Sequence, residues 1–298
     1  VRPIPMLNGL TLFSFTMLLL FSLTAQCNTT VIVPAAQSVL DTRYVYLMDI
    51  LNKALLATTA EYGTYELLES AEPITEARSL KELQRKNKLI NLAWSSTSEL
   101  KEQKLTPIRV PIYRGLLSYR IILTVPEQLP ALARISNVQQ LSKLLVGQGQ
   151  SWGDVQVYEE SGFDVVTSPN YEALFKMLLQ RRFDIFPRGV TEIFQEYNAR
   201  KHFLTDLVIE PKLYVHYYWP YYFFTSKSDV HLAQRDEHGL EIIIDNGEFE
   251  RVFERHFRDS LTKARLAERR GFHLANPILP ASTPTDREAL WLNPFSDN

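Results

Sequence analysis

The chain has 298 residues, 45% hydrophobic and 22% charged, an ordinary globular composition with room for two compact lobes. Thirty-two Lys and Arg against 34 Asp and Glu leave a formal net charge of -2, so there is no overall basic footprint for nucleic acid. One cysteine, Cys27, excludes an intrachain disulfide, and six scattered histidines lack a metal-ligand spacing such as H-x-x-x-H, so neither metal nor cofactor is expected.

Residues 6–25 hold the apolar run LTLFSFTMLLLFSL followed by small and polar residues, which reads as a secretory signal over residues 1–25, cleaved near Ala25. The run falls below the roughly 18 residues that suit a bilayer span, leaving a retained anchor as the second reading. Gln26 ahead of Cys27 is not the small residue that lipid attachment wants, so a soluble periplasmic protein is expected.

Residues 31–34 form a β-branched strand. Asp41 caps a helix with Tyr44, Leu47, Met48, Leu51 and Leu55 on one face, ending near Gly63. A strand at 65–68, a charged helix at 79–88 with Leu80 and Leu83 inward, and a strand at 89–94 complete a β-α-β-α-β unit. The plan recurs at 144–189: strand, glycine turn, a helix begun by Ser151 and Asp154, a strand at 164–167, a helix carrying Tyr171, Leu174, Phe175 and Leu178, and a strand at 183–187. Such alternation predicts parallel sheets with right-handed crossovers and ligands beyond the carboxyl ends of the strands.

Two extended stretches, 116–125 and 214–225, are long enough to cross between the halves, and they are read as hinge strands. Amphipathic helices at 232–244 and 249–257, separated by Asn246-Gly247, need the first half's core. The expected layout is lobe 1 from 28–120 plus 226–258, lobe 2 from 121–225, and a tail, 259–298, laid on the surface.

Three strings carry a family resemblance: LSKLLVGQGQSW at 141–152, SPNYEALFKMLLQRRFDIFPRGV at 168–190 and DNGEFERVFERHF at 245–257. In order and spacing they resemble the strand-and-turn, helix-and-strand and terminal-helix motifs of type-2 periplasmic solute-binding proteins, those of amino-acid-type transporters in particular. The resemblance covers about residues 30–257 and implies an α/β protein of two lobes that closes on a small ligand like a hinge. It also implies delivery to an inner-membrane ABC permease or a sensor, by a monomer. Amino-acid binders carry a T-x-x-R for the ligand carboxylate, whereas the matching place here reads Thr97-Ser98-Glu99-Leu100-Lys101, with Arg109 or Arg114 as substitutes from the next loop. They place an acidic residue where this chain has Arg188, which suits an anion better than a zwitterion.

The ligand-binding candidates are therefore Gln148, Gln150, Ser151 and Trp152 in the glycine turn, Arg188 at the next strand end, Arg114 from the other lobe, and Trp94 as a stacking wall. The turn offers backbone N–H groups at a helix start, against the plainer reading of a helix cap. Arg114 and Arg120 compete with a role as interlobe ion pairs, and the other aromatic residues with core packing. A rival comes from the same turn, since Gly149-Gln150-Ser151-Trp152-Gly153 is a G-x-S-x-G pentapeptide between strand and helix. A secreted serine hydrolase would use Ser151 with Asp184 and His216 or His256. Against it, no HGG-type segment precedes the turn, and Trp152 is too large for the close packing of such an elbow.

Overall fold

The structure is a computed structural model that describes residues 28–36, 38, 41 and 43–295. The expected signal segment and Cys27 lie outside the described residues. No helix among the described residues is long and apolar enough to cross a membrane.

Strand β1, Thr29–Ala35, is the β-branched run that the sequence foretells, with Val31 and Val33 fully buried. It pairs in parallel with β2, Tyr65–Pro73, while β3, Leu92–Ser96, and β4, Leu105–Ile108, lie in a second sheet. Asn91 splices the two sheets: its N–H donates to the Ile32 carbonyl at 2.9 Å, and its side-chain oxygen accepts from the Ile32 N–H at 2.7 Å. The chain then crosses and forms β5, Tyr119–Thr124, β6, Val146–Gly149, β7, Val165–Ser168, β8, Phe186–Gly189, and β9, Val208–His216. It crosses back into β10, Tyr221–Ser226, and after two helices it ends its regular structure with β11, Arg270–His273.

Read across, lobe 1 has the strand order β2-β1-β3-β10-β4 and lobe 2 the order β7-β6-β8-β5-β9-β11, the β6–β8 step being the Val146–Ile185 bridge. Ignoring β11, the two orders are the same. In each lobe the strand that enters after a crossing, β10 or β5, runs antiparallel to both neighbours. The two halves are thus built by one plan, and the protein is a two-lobed α/β structure with helices flanking mostly parallel sheets.

Helix Arg43–Ala57 buries Tyr44, Leu47, Ile50, Leu51, Ala54 and Leu55 along one face. Helices Val230–Asp245 and Glu248–Ala264 pack on it, and Gly239 has no room for a β-carbon, which would lie 2.2 Å from the Ala54 carbonyl oxygen. Beside this contact Arg235, fully buried, donates to the carbonyls of Leu55 and Gly63, closing off the end of the first helix region.

Some elements differ from the sequence expectation. The stretch 214–225 is not one strand: β9 ends at His216 and β10 starts at Tyr221, so the second crossing is the short loop between them, containing Pro220. The stretch 116–125 begins with a single tight turn at Leu116–Ser118 before β5. Strand β4 is four residues containing Pro107, helix Ile193–Arg200 carries four charged or amide side chains, and β11 buries only Phe272, so none shows the periodicity that would announce it.

The C-terminal segment follows an ordered path. After β11 adds in parallel to β9, the Leu274 N–H donates to the His216 carbonyl and Asn276 donates to the Tyr218 carbonyl. Ser282 then donates to Glu102 and Arg287 pairs with Glu241, both on lobe 1. Finally the Leu292 N–H donates to the Arg114 carbonyl, and the Phe295 ring lies 5.7 Å from that of Tyr119 on lobe 2.

Candidate functional site

Between the lobes the carboxyl ends of β3 and β8 and the turn after β6 converge, where a doubly wound sheet places its ligands. Lobe 1 contributes Arg43 and Tyr44 from its first helix, Glu76 and Ser96, and lobe 2 contributes Arg120, Trp152, Asp154, Arg188 and Glu192. The void among them offers about 40 Å³ for the centres of water molecules. About 10–15 Å³ by that measure holds one water, so a few waters fill it and the cleft is closed.

Its charges are buried and mutually paired. Arg188, 3% exposed, forms a fork with Glu196, Nε to Oε2 at 2.8 Å and Nη2 to Oε1 at 2.7 Å, and its Nη2 also lies 2.9 Å from Glu192. Burial works against the charge, but Glu192 and Glu196 raise the pKa of the guanidinium above its ordinary value. Burial likewise opposes ionisation of Glu196, yet Arg188 and the hydroxyl of Tyr171 hold its carboxyl below the usual range. Glu192 goes the other way: burial, then the charge of Glu196, raises its pKa despite Arg188. The Arg188 guanidinium lies 4.6 Å from the centroid of the Trp152 ring, which is itself nearly parallel to Phe186.

Arg120, the second residue of β5, is also 3% exposed. Its Nη2 lies 2.9 Å from Asp154 Oδ1 as an ion pair, and its guanidinium lies 5.2 Å from the Tyr217 ring. Yet neither Nε nor Nη2 has a hydrogen-bond acceptor in line among the described residues, while Asp154 accepts from the Tyr217 hydroxyl at 2.5 Å. The guanidinium is thus held by the charge of Asp154 rather than by aligned hydrogen bonds, and both of these nitrogens are out of solvent contact in this arrangement of the lobes. On the opposite wall Arg43 is held by Asp41, Nε to Oδ1 at 2.7 Å, and stacks over Tyr171 of the other lobe at 4.2 Å.

The sequence candidates are not all brought here. Trp152 and Arg188 line the void. Gln148 is buried inside lobe 2, one turn behind it, with both amide atoms lacking partners among the described residues. Gln150 and Ser151 are exposed, with Ser151 on a hollow between residues 98–101 and the tail at 277–279. Two of the turn's donors are engaged: Gln150 N–H goes to Ser168 and Trp152 N–H to Gly149. Ser151 does not cap the following helix, Asp154–Glu160, whose first residue turns its carboxylate to Arg120 and Tyr217 instead.

Arg114 points into lobe 1, hydrogen-bonded to Glu250 and over the Phe253 ring, and Trp94 lies one layer behind the cleft, edge-on to Tyr44. Arg109 is taken by Glu102. Lys101, in the place examined for a T-x-x-R arginine, donates to Ser95 and Ser96, and burial lowers its pKa against the pull of Glu76. The residues of a hydrolase triad are likewise apart: Asp184 accepts from Gln128 and from the Leu145 N–H, His256 from or to Asp49, and His216 pairs with His273. The site residues that sequence reasoning passed over, Arg43, Asp154 and Glu192, are charges with no pattern of their own. Arg120 did carry a signal, standing at the second position of the strand that follows a crossing.

Comparison with solved structures bears on the whole arrangement. An ancestral arginine-binding protein bound to arginine superposes with a TM-score of 0.56 at 15% identity, covering 77% of this chain and 98% of its own. The chain has the fold of type-2 periplasmic solute-binding proteins. A periplasmic binding protein of Salmonella typhimurium with high arginine specificity matches equally well, TM-score 0.56 at 14% identity over 77% of this chain and 99% of its own. So does a histidine kinase sensor domain similar to periplasmic binding proteins, TM-score 0.53 at 14% identity over 76% and 95%. No protein-family model matches the chain, and no curated protein does. The likeness to solute-binding proteins is thus one of architecture.

Proposed function

We propose that the protein binds a small polar solute carrying a carboxylate or similar anionic group in the interlobe cleft, by hinge closure and without transforming it. The observation that supports this reading is Arg120, buried on the wall of the void, whose Nε and Nη2 make no aligned hydrogen bond although Nη2 lies 2.9 Å from Asp154. Arg188 and Arg43 are matched by Glu196, Glu192 and Asp41, so they position the walls of the cleft. A void of about 40 Å³ admits a solute only after the lobes part, and affinity then comes from contacts to both lobes on reclosure. The setting is periplasmic, with transfer to a membrane permease or a signal to a sensor as the outcome.

The test is a thermal-shift screen over amino acids, small organic acids and sugars, followed by calorimetry on the hits, since a solute that binds only the folded state raises its melting point. An acid should be among the hits. Arg120→Met should weaken it by roughly thirtyfold, the loss of about 2 kcal/mol expected for a charge-assisted hydrogen bond in a buried site. Ser151→Ala should bind as the parent does, and a fluorophosphonate should leave Ser151 unlabelled. Undiminished binding by Arg120→Met would refute the assignment of the site.

A further inference from the structure

A second chemical feature lies on lobe 2, away from the cleft. Strands β9 and β11 pair in parallel with His216 directly opposite His273, so both imidazoles rise from the same face of the sheet. Their Nδ1 atoms are 3.3 Å apart, and the ring centroids 5.2 Å. His273 is exposed and His216 half-buried, so the pair is open to solvent on one side. The rings of Tyr119 and Tyr218 flank His216 at 4.7 and 5.7 Å, and that of Tyr214 lies 6.3 Å from His273.

We propose that His216 and His273 form a two-imidazole site for a divalent transition-metal ion of the zinc, copper or nickel class. A metal bound to imidazole nitrogen at about 2.0–2.1 Å with tetrahedral angles needs its two nitrogens about 3.3 Å apart. The observed Nδ1–Nδ1 separation of 3.3 Å equals that edge length, so the two nitrogens are spaced for a single ion. Imidazole donors select borderline d-block cations over calcium or magnesium, which prefer oxygen. No group of three or more His, Cys, Asp or Glu that would hold a metal gathers among the described residues. The ion would therefore keep two positions for water or for a ligand from solution. Because β11 opens the C-terminal segment, the ion would also staple that segment to lobe 2.

The experiment is calorimetric titration of the chelator-treated full chain with ZnCl2, with thermal unfolding as the second readout. Wild type should bind one Zn2+ saturably, with a rise in melting point on adding the metal. His273→Ala, at an exposed position, should weaken binding at least about tenfold, as the loss of one of two metal–nitrogen bonds requires, and should abolish the rise in melting point. The double variant His231→Ala/His238→Ala, on helix Val230–Asp245, should bind Zn2+ as wild type does. Cu2+ on the wild type should show hyperfine coupling to two imidazole nitrogens in electron paramagnetic resonance, and to one in His216→Ala. Absence of saturable Zn2+ binding, or wild-type affinity in His273→Ala, would reduce the pair to a hydrogen bond between imidazoles and overturn the proposal.

Discussion

Asp236 sits on the inner face of helix Val230–Asp245, fully buried, and neither carboxylate oxygen has a hydrogen-bond partner among the described residues. Its neighbour Arg235 does not neutralise it, because that guanidinium is directed at the carbonyls of Leu55 and Gly63. Burial, and secondarily the charge of Glu237, pushes the carboxyl up from 3.8 to about 8. The folded chain thus holds this proton up to about pH 8, whereas the unfolded chain releases it near 3.8. Stability from the protonated group is fully present below the lower value and is lost as pH rises toward the upper one. Inside that window each pH unit removes about 1.4 kcal/mol, so the span from pH 5 to pH 7 removes about 3 kcal/mol. Asp236→Asn keeps the shape and does not titrate. Urea unfolding followed by circular dichroism at pH 5, 6 and 7 should show the variant gaining about 3 kcal/mol on the wild type across the range, whatever the offset between them at pH 5. Two curves that stay parallel within about 0.5 kcal/mol would refute the argument, since Asp236 would then be solvated or paired when ionised.

Two further substitutions probe the same lobe. Gly239→Ala gains about 1 kcal/mol in helix propensity but sets a methyl against the Ala54 backbone, which cannot yield as a side chain does, so a net loss of about 2 kcal/mol is expected. A thermal midpoint equal to wild type would show that the two helices part without cost. Arg235→Met keeps the aliphatic bulk but removes the donor to the Gly63 carbonyl, while the Leu55 carbonyl keeps the Thr58 hydroxyl, so a loss of about 2 kcal/mol in chemical denaturation is expected. An unchanged midpoint would mean that water reaches the Gly63 carbonyl.

The architecture was legible where apolar periodicity is long. Tyr171, Leu174, Phe175 and Leu178 announce a helix that the structure runs from Tyr171 to Leu179, and the valines after Thr30 announce β1. Boundaries slipped where polar residues finish a strand: β8 was read to stop at Pro187 but includes Arg188 and Gly189, because antiparallel pairing with β5 continues through them. Trp152 and Arg188 line the void, at the place along the chain that turn and strand end mark. Arg114 was misplaced because its partner, Glu250, stands 136 residues later on a helix whose docking angle no local pattern reveals. Arg43 and Glu192, charges without a local pattern, meet Arg120 only through tertiary packing.

The C-terminal segment also acts as a tether of fixed length. Leu274 is bonded to His216 on lobe 2 and Ser282 to Glu102 on lobe 1, and the eight residue-to-residue steps from one anchor to the other reach at most about 26–29 Å when fully drawn out. An opening rotation draws this stretch taut across the mouth of the cleft, where Ile278 already rests against the position of Gly153. While both anchor bonds hold, the length of this stretch caps how far the anchors part, and with it the aperture. Any solute too large for that aperture enters only when an anchor lets go, and spin-label distances between Glu99 and Gln156 would show the limit and its removal when the tether is cut.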